Sequence, residues 1–385
     1  MEPHETPTRH VIGCMTGTSL DALDAVLTRI IGRGLEMTAE CVDMVSVPLP
    51  DELRSVLLSM ASDEPHPAIE FMRAARYLGV VHAQACATLI NQHPELEASG
   101  GVDFIVPHGQ TVWHAPADAL SWQLFDPWPI VRTLKVPVCY DLRQADLVAG
   151  GEGAPITPIA DWVMYREHAD VVINLGGVSN LTFLHDDIAQ IEGFDQGPCN
   201  LMLDGLCRAL FDERYDRDGQ HALAGAINPQ MQVVIQNATD EIHRDGSKGR
   251  EQYSLAWCAA LAESCLRVGS AEDVLRTAAH ICALHISVFP LARGCKRWVV
   301  GGGGVHHPAL MQSLQEQADP YEKYDVLATS DRFGIPAEAR EAMGFAVLGA
   351  LSADGVPVTL PAVTGSETPG VAGSWAYPEG PGERV

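Results

Sequence analysis

The sequence predicts an α/β protein built from two related domains, and two observations lead to that prediction. The chain has 385 residues, which exceeds the size of one ordinary domain. A β-branched strand, a turn rich in glycine and hydroxyl groups, and a second strand occur in that order twice, at residues 11–27 and 169–184. One copy lies near the start of each half. We therefore expect each domain to present a glycine turn toward a shared central cleft.

Composition narrows the classes of partner. A formal net charge of −25 is unfavourable for nucleic acid and for an anionic membrane surface, although backbone amides can still bind a small anion. Apolar runs are broken by Gly, Pro or charge before they reach membrane-spanning length. The polar segment 1–10 lacks the apolar stretch of a secretory signal. These features predict a cytoplasmic protein whose ten cysteines are reduced and mostly buried.

The first hairpin carries the most chemical information. Its first strand, at 11–12, leads into small and hydroxylated turn residues, namely Gly13, Thr16, Gly17, Thr18 and Ser19. Such a turn exposes backbone N–H groups to an anion. Asp21 and Asp24 follow directly, where carboxylates could hold a metal ion or a reacting water. The same pattern is typical of an ordinary hairpin with surface aspartates, and at this point both interpretations stand.

Two further glycine segments suit a nucleotide. The second hairpin turn contains Asn174, Gly176 and Gly177 and leads into a strand at 181–184. Later, a strand at 298–300 runs into four consecutive glycines, and a helix is predicted to begin near Pro308. Glycine lets a phosphate or a flat ring approach the backbone closely. The order strand, glycines, helix is therefore typical of a nucleotide site.

The remaining segments outline the domains. Stretches 67–90 and 255–286 have the periodicity of amphipathic helices and indicate domain cores. Residues 141–158 are rich in glycine and proline, which predicts a long loop close to a domain boundary. We expect a first domain of residues 1–145 plus about 355–385, and a second domain of residues 146–354.

Asp195 stands before a Gln-Gly-Pro turn and a helix predicted over 199–210. A carboxylate at this position can act as a general base. It can also cap the helix by accepting hydrogen bonds from backbone N–H groups. Spacing alone favours the cap.

Two other polar sites have a functional and a structural interpretation. His108 and Gln110 follow an apolar strand and precede Trp113, and polar groups beside an aromatic ring suit a sugar. Histidines near aromatic rings are more often structural. Glu341 opens an apolar helix, where a carboxylate either stabilises the helix N-terminus or is a ligand. The sequence alone favours the first role for Glu341.

Taken together, these motifs resemble the anhydro-N-acetylmuramic acid kinase family of the actin, hexokinase and Hsp70-type ATPase superfamily. Residues 13–24 match the family's opening motif G-x-M-S-G-T-S-x-D-G-x-D, with Thr16 for Ser and Ala22 for Gly. The other motifs follow in the family's order: HGQT at 108–111, R-x-x-D-x-x-x-G-G-x-G-A-P at 143–155, NLGGVSN at 174–180, FDxGPxN at 194–200, glycines at 302–304, Glu-Ala at 341–342 and LPAVTG at 360–365.

The resemblance implies two actin-like (ribonuclease H-like) domains with a central interdomain cleft, and a kinase that uses ATP and Mg²⁺. It places the ATP site in Gly17, Thr18, Ser19, Leu20, Asp21, Ala22, Leu23, Asp24, Asn174, Gly176, Gly177, Gly302, Gly303 and Gly304. It makes Asp195 the catalytic base, against the cap that spacing favours, and Glu341 a candidate magnesium ligand. Candidate sugar-binding residues are His108, Gln110, Arg143 and Asp146.

The implied reaction opens the 1,6-anhydro bridge of 1,6-anhydro-N-acetylmuramic acid and phosphorylates O6, as in peptidoglycan recycling. The resemblance also suggests a homodimer. Departures from the family pattern at Glu152, Gln196, Cys199 and His307 leave a levoglucosan-type anhydrosugar kinase as an alternative. From other classes, a non-catalytic sugar and nucleotide sensor and a simple ATPase or phosphatase also remain. Retention of the carboxylates at 21, 195 and 341 argues against the sensor.

Overall fold

The structure, a computed structural model, describes residues 6–17, 20–62, 64–243, 253–319 and 327–379. The chain divides into two compact units. The first consists of Met1–Arg166, His185–Glu192 and Gly334–Val385, and the second of Glu167–Leu184 and Gly193–Phe333. Each unit has its own sheet and its own apolar core.

The first unit contains a six-stranded sheet. Its strands are β1 (Thr8–Thr16), β2 (Ala22–Ile31), β3 (Thr38–Pro48), β4 (Phe104–Pro107), β7 (Val138–Tyr140) and β13 (Ser374–Ala376), and a separate ribbon consists of β5 (Gln110–Ala115) and β6 (Leu120–Leu124). The order across the sheet is β13-β7-β4-β1-β2-β3. Strands β1, β2 and β3 pair antiparallel, whereas β1, β4 and β7 are parallel. The carboxyl ends of the three parallel strands therefore meet at one edge.

Helices cover this sheet. They are α1 (Asp51–Met60), α2 (Ala68–Gln92), α3 (Trp128–Leu134), α4 (Gln144–Val148), α5 (Pro158–Tyr165), α12 (Ala339–Ala353) and α13 (Pro361–Thr364). Helix α2 begins directly after Pro67, and its buried residues recur every three or four positions, as at Leu78, Val81, Ala85 and Leu89. This apolar face packs in one core with Ile12 and Leu27 of the sheet.

Gly13 lies within β1, not in the turn to which the sequence assigned it. A Cβ at this position would lie 1.8 Å from the backbone oxygen of Ala342 and 2.7 Å from the backbone nitrogen of Ala346. Helix α12 therefore crosses β1 at backbone contact distance, which leaves room only for glycine.

The second unit contains a five-stranded sheet. Its strands are β8 (Val171–Leu175), β9 (Val178–Phe183), β10 (Glu192–Pro198), β11 (Trp298–Gly301) and β12 (Leu327–Thr329), in the order β10-β9-β8-β11-β12. Strands β8, β11 and β12 are parallel, and β9 is antiparallel to β8. Every residue of β8 and β11 is buried, because central parallel strands are covered on both faces.

The helices of the second unit are α6 (Asn200–Phe211), α7 (Gln220–Ala224), α8 (Pro229–His243), α9 (Leu255–Cys265), α10 (Ala271–Ala292) and α11 (Pro308–Ala318). Helix α10 starts at a capping box in which Ser270 and Asp273 each accept a hydrogen bond from the other's backbone N–H. Among the described residues, this helix has the length and composition to cross a membrane, contrary to the expectation that no such run exists. Of its 18-residue apolar window, 67% is buried inside the protein, as in a core helix.

The two sheets share one strand order: a hairpin strand pair beside further parallel strands. This repetition confirms the predicted α/β fold with two related actin-like units. All ten cysteines are free thiols and eight of them are buried, as expected.

Three features differ from the sequence-based outline. Residues 146–166, 185–192 and 334–354, predicted for the second domain, belong to the first unit, and α5 and α12 pack on its strands. The stretch 255–286 is split into α9 and α10, since the capping box at Ser270 starts a new helix. The predicted loop 141–158 contains the short helix α4.

Candidate active site

The first glycine turn joins β1 to β2. Its central residues Thr18 and Ser19 lie outside the described part of the chain. On either side, the backbone N–H of Leu20 donates to the carbonyl of Gly17 at 3.0 Å, and Leu20 adopts a left-handed φ of 55°. Arg54 of α1 contacts this turn twice: its Nε donates to the Leu20 carbonyl at 3.1 Å, and its Nη2 lies 3.1 Å from Asp21 Oδ1. The turn is therefore held from outside by a guanidinium group.

The two aspartates behind the turn have different surroundings. Asp21 is half-exposed and paired with Arg54, whereas Asp24 is more buried within β2. Burial raises the pKa of Asp24. The nearby Glu338 carboxylate adds to that rise, and a hydrogen bond from Ser46 opposes it. Asp24 thus offers carboxylate oxygens in a partly dehydrated position, whereas the Asp21 carboxylate is already paired with Arg54.

His108 and Gln110 lie at the same sheet edge, because β4 runs parallel to β1. Thr16 Oγ1 is 3.0 Å from the carbonyl of Gly109 and 2.9 Å from Gln110 Oε1, which ties this loop to the strand before the first turn. Burial, and then the charge of Arg143, lower the pKa of His108 to about 3. Arg143 Nη2 donates to His108 Nε2 at 3.0 Å, so the ring is neutral and its Nδ1–H donates to the Gly109 carbonyl.

Arg143 and Asp146 follow β7, the third parallel strand. Arg143 Nη1 donates to the carbonyl of Gly153 at 2.9 Å. The fully buried Asp146 accepts hydrogen bonds from the Gly153 N–H at 2.7 Å and from Thr364 Oγ1 at 2.6 Å. The structure therefore brings together all four candidate sugar residues of the first unit. In this arrangement, Asp146 Oδ2 holds Gly153 of the 150–153 loop, whereas Oδ1 binds Thr364 at the end of α13.

The second glycine turn is a two-residue hairpin between β8 and β9. Asn174, assigned to the turn by sequence, lies in the flanking strand β8. The carbonyls of Gly176 and Gly177 accept hydrogen bonds from the backbone N–H groups of residues 199, 200 and 201 at 3.0 to 3.1 Å. The start of α6 thus fixes the turn. Asn200 strengthens this link, because its Nδ2 donates to the Leu175 carbonyl at 2.9 Å.

The third glycine segment follows β11, which is parallel to β8 with Gly301 opposite Asn174. It therefore lies at the same edge as the second turn. Gly302 has a φ of 85°, and a Cβ there would lie 2.5 Å from Asn174 Oδ1 and 3.1 Å from the backbone of Leu175. Helix α11 begins at Pro308 as predicted. The close packing of these glycines fits a nucleotide-binding cradle formed by backbone.

Asp195 is exposed and lies within β10. The cap of helix α6 is Cys199, so the helix-cap interpretation of Asp195 is wrong. Its neighbours fix the strand. Phe194 stacks on Phe183 at 5.9 Å between ring centroids, Gln196 Nε2 donates to the His285 carbonyl at 2.7 Å, and the Gly197 carbonyl accepts from Ser179. The carboxylate is thus presented on a rigid element just before the second turn's supporting helix.

The donors that a magnesium ion would need are present. Mg²⁺ is usually held by one or two carboxylates together with phosphate oxygens and water. Asp24 has the required chemistry, and so does the half-buried Glu341 in the first turn of α12. Within the described residues, no group of three or more His, Cys, Asp or Glu side chains forms an all-protein metal site. The donor set therefore fits Mg²⁺ bound with a nucleotide.

Sequence reasoning missed two supporting residues. Asn200 belongs to the matched FDxGPxN motif, so its presence there was a usable signal. Arg54 belongs to no motif, and only the packing of α1 against the first turn reveals it.

Comparisons with known proteins agree with the motifs. The family model described as anhydro-N-acetylmuramic acid kinase matches residues 9–378. A protein of that name from Bordetella avium is 35% identical over 379 residues, covering 97% of both chains. The Salinibacter ruber protein of that name is 33% identical over 398 residues, covering 97% of this chain and 98% of its own.

Solved structures were also compared. An activator of 2-hydroxyisocaproyl-CoA dehydratase from Clostridium difficile with bound ADPNP has a TM-score of 0.44 at 10% identity, covering 89% of this chain and 94% of its own. A ROK family glucokinase from Streptomyces griseus has a TM-score of 0.37 at 12% identity, covering 88% and 98%. These scores are too low to support a functional comparison.

The family match spans nearly the whole chain, and two full-length relatives are more than 30% identical. The resemblance seen in the motifs is thereby confirmed: the chain belongs to the anhydro-N-acetylmuramic acid kinase family.

Proposed function

We propose that this protein is an ATP-dependent kinase that hydrolyses the 1,6-anhydro bridge of 1,6-anhydro-N-acetylmuramic acid and phosphorylates O6, yielding N-acetylmuramic acid 6-phosphate and ADP. The observation that carries this proposal is the family match over residues 9–378. The presence of Asp195 on strand β10 supports a catalytic protein over a non-catalytic sensor with the same fold. The product and substrate place the protein in peptidoglycan recycling, and we propose a cytoplasmic homodimer.

Asp195 acts as the general base. It takes a proton from water while the water oxygen forms a bond to the anomeric carbon C1. The C1–O6 bond breaks at the same time, and its electron pair stays on O6. O6 then attacks the γ-phosphorus of ATP in line, and the bond from that phosphorus to the β,γ-bridging oxygen breaks to release ADP. One base suffices because breakage of the bridge itself generates the nucleophile.

The two turns and the third glycine segment bind the nucleotide. Apart from Gly17 and its two chain neighbours, no atom of the described residues lies within 4 Å of the place that a Cβ at Gly17 would occupy, so a phosphate can approach the backbone there. Gly176, Gly177 and Gly302–304 share one edge of the second sheet, which suits a second phosphate contact and the adenosine. A bound Mg²⁺, held by Asp24 and Glu341, would neutralise charge on the transferred phosphoryl group.

The sugar is proposed to contact the loops after β4 and β7. His108, Gln110 and Arg143 converge there with polar groups, while Asp146 fixes the loop at 150–153. Because His108 is neutral and its Nε2 accepts from Arg143, the pair offers a fixed hydrogen-bonding direction without a titrating proton. Such preorganised polar groups give a pocket its selectivity.

ADP release from Mg-ATP tests the proposal. The assay is run with 1,6-anhydro-N-acetylmuramic acid, with levoglucosan and without sugar, and the product is identified as the 6-phosphate. We expect turnover with the muramic sugar only. Turnover with levoglucosan alone would contradict the substrate assignment, and equal ADP release without sugar would indicate an ATPase.

The Asp195→Asn variant tests the base. Turnover should fall by at least about 10²-fold, the usual loss when base catalysis is removed, while ADP affinity is retained. Glu192→Gln is the matched control, because it removes an exposed negative charge from the same strand. Near-normal turnover of Asp195→Asn would contradict the role of this residue.

A further inference from the structure

Arg54 connects helix α1 to the first glycine turn at two points. Its Nε donates to the Leu20 carbonyl at 3.1 Å, and its Nη2 lies 3.1 Å from Asp21 Oδ1. The Arg54 side chain is 27% exposed, whereas that of Asp21 is 49% exposed. One guanidinium group thus contacts a backbone carbonyl and a carboxylate on adjacent residues of the turn. The planar fork of arginine suits two such acceptors, and a lysine ammonium does not reproduce it.

The turn needs external support because its backbone is unusual. Leu20 is not glycine, yet it has a φ of 55° and is completely buried. L-residues rarely adopt this conformation, and it persists where surrounding contacts determine it. The Leu20 N–H donates to Gly17, its carbonyl accepts from Arg54, and the Asp21 carbonyl accepts from the Leu49 N–H at 3.1 Å. Residues 49–54 therefore hold the second half of the turn.

The charge of Asp21 is a second reason why the turn needs a partner such as Arg54. The chain has a net charge of −25, and Asp21 places a carboxylate next to the turn that is proposed to bind phosphate. An unpaired carboxylate there would repel the nucleotide. Arg54 Nη2 lies 3.1 Å from Asp21 Oδ1, so its positive charge offsets that of the carboxylate beside the turn.

We propose that Arg54 is a positioning residue for nucleotide binding, which holds Leu20 and Asp21 at the end of the first glycine turn and cancels the charge of Asp21. The inference rests on the proposed function, because it takes this turn as a phosphate site. Arg54 itself need not touch the nucleotide.

A comparison within the same unit supports this role. Arg29 and Glu40 also form an ion pair, between β2 and β3, but both side chains are about half-exposed, at 49% and 47%. That pair joins two side chains on neighbouring strands. Exposed pairs of this kind contribute little. Arg54 differs in binding the backbone of a turn as well as a carboxylate.

The test measures affinity for Mg-ADP by titration calorimetry and KM values for ATP and sugar. Arg54→Gln should weaken ADP binding and raise the KM for ATP by at least about tenfold, as expected for losing a charge-assisted hydrogen bond. The KM for sugar should stay within about twofold. Arg54→Lys, which keeps the charge but not the fork, should fall between wild type and Arg54→Gln. Arg29→Gln is the matched control and should leave all three values unchanged.

A double variant sharpens the test. If Arg54 acts through Asp21, the effects of the two substitutions on ADP affinity are non-additive: adding Asp21→Asn to Arg54→Gln restores part of the lost affinity, because it removes the unpaired carboxylate. Unchanged ADP affinity in Arg54→Gln would overturn the proposal. The proposal would also be overturned if Arg54→Gln raised the KM values for ATP and for sugar equally and lowered the melting temperature, because that result indicates a general structural role.

The two proposals fail in different ways. If the wild-type protein binds ADP but shows no sugar-dependent turnover, the proposed function is wrong. The role of Arg54 in nucleotide binding can still be tested by calorimetry on the Arg54 variants. If sugar-dependent turnover is present and Arg54→Gln binds ADP normally, only the role of Arg54 falls.

Discussion

The two glycine turns occupy equivalent places in sheets of the same strand order, yet they are held by different means. In the first unit, the Arg54 side chain of α1 holds the end of the turn, where Leu20 has a left-handed backbone. In the second unit, the carbonyls of Gly176 and Gly177 accept backbone hydrogen bonds from the start of α6. The glycines that packing requires also differ: Gly13 lies in a strand beneath a helix, whereas Gly302 lies beside the turn of its unit. One topology thus accommodates two ways of holding a glycine turn in place.

The largest expected effect comes from Gly13→Ala. The new Cβ would lie 1.8 Å from a backbone oxygen of α12, which no side-chain rotation relieves, so we expect a loss of about 3 kcal/mol or more in unfolding free energy. Urea unfolding measures this loss. The matched control is Gly17→Ala, whose Cβ meets open space among the described residues, and it should change stability by less than about 0.5 kcal/mol. Equal stability of the two variants would show that α12 can move away from β1.

Gly302→Ala should have the next largest effect. Its positive φ and the 2.5 Å approach to Asn174 Oδ1 together predict a loss of about 2–4 kcal/mol. In contrast to Gly13→Ala, the loss should be accompanied by weaker ADP binding, measured by calorimetry, because the strain lies within the nucleotide segment. For stability alone, Gly303→Ala is the control, since its Cβ would lie 3.9 Å from Asn200 Nδ2, an ordinary van der Waals contact. A stable Gly302→Ala variant that binds ADP normally would contradict the assignment of this glycine segment to the nucleotide site.

The smallest effect concerns pH. Burial lowers the pKa of His82, in the first unit, to about 4. Its folded-state pKa is below the unfolded value of about 6.5, so its stabilising contribution is complete above pH 6.5 and is lost as pH falls toward 4. His82→Leu should reduce the pH slope of unfolding free energy by up to about 1.4 kcal/mol per pH unit in this window. His280→Gln, at a less buried histidine in the second unit, is the comparison and should change the slope less. Identical slopes for wild type and His82→Leu would contradict the neutral buried state of His82.

Local signals predicted much of the fold and the family. Alternation of apolar strands with glycine turns predicted both hairpins, and Pro308 marked the start of α11. The ordered motifs identified the family that the comparisons confirmed. These predictions succeeded because they depend on residues close together in the chain, where steric rules and turn chemistry act directly.

Other features required long-range information. The N-cap interpretation of Asp195 failed because strand β10 extends through Pro198, and sheet pairing determines where that strand ends. The boundary near residue 145 shifted because α5 and α12 pack on the first sheet from distant parts of the sequence. Spacing cannot reveal such packing.

The fold class, the family and the candidate residues follow from local sequence, since glycine, aspartate and proline impose local geometry wherever they occur. How these residues are supported depends on the packing of the folded chain. The tie between Arg54 and Asp21, the neutral tautomer of His108 and the need for glycine at position 13 all arise from contacts between segments remote in sequence. Their physical cause is burial and close approach, which exist only once the sheets and helices have packed.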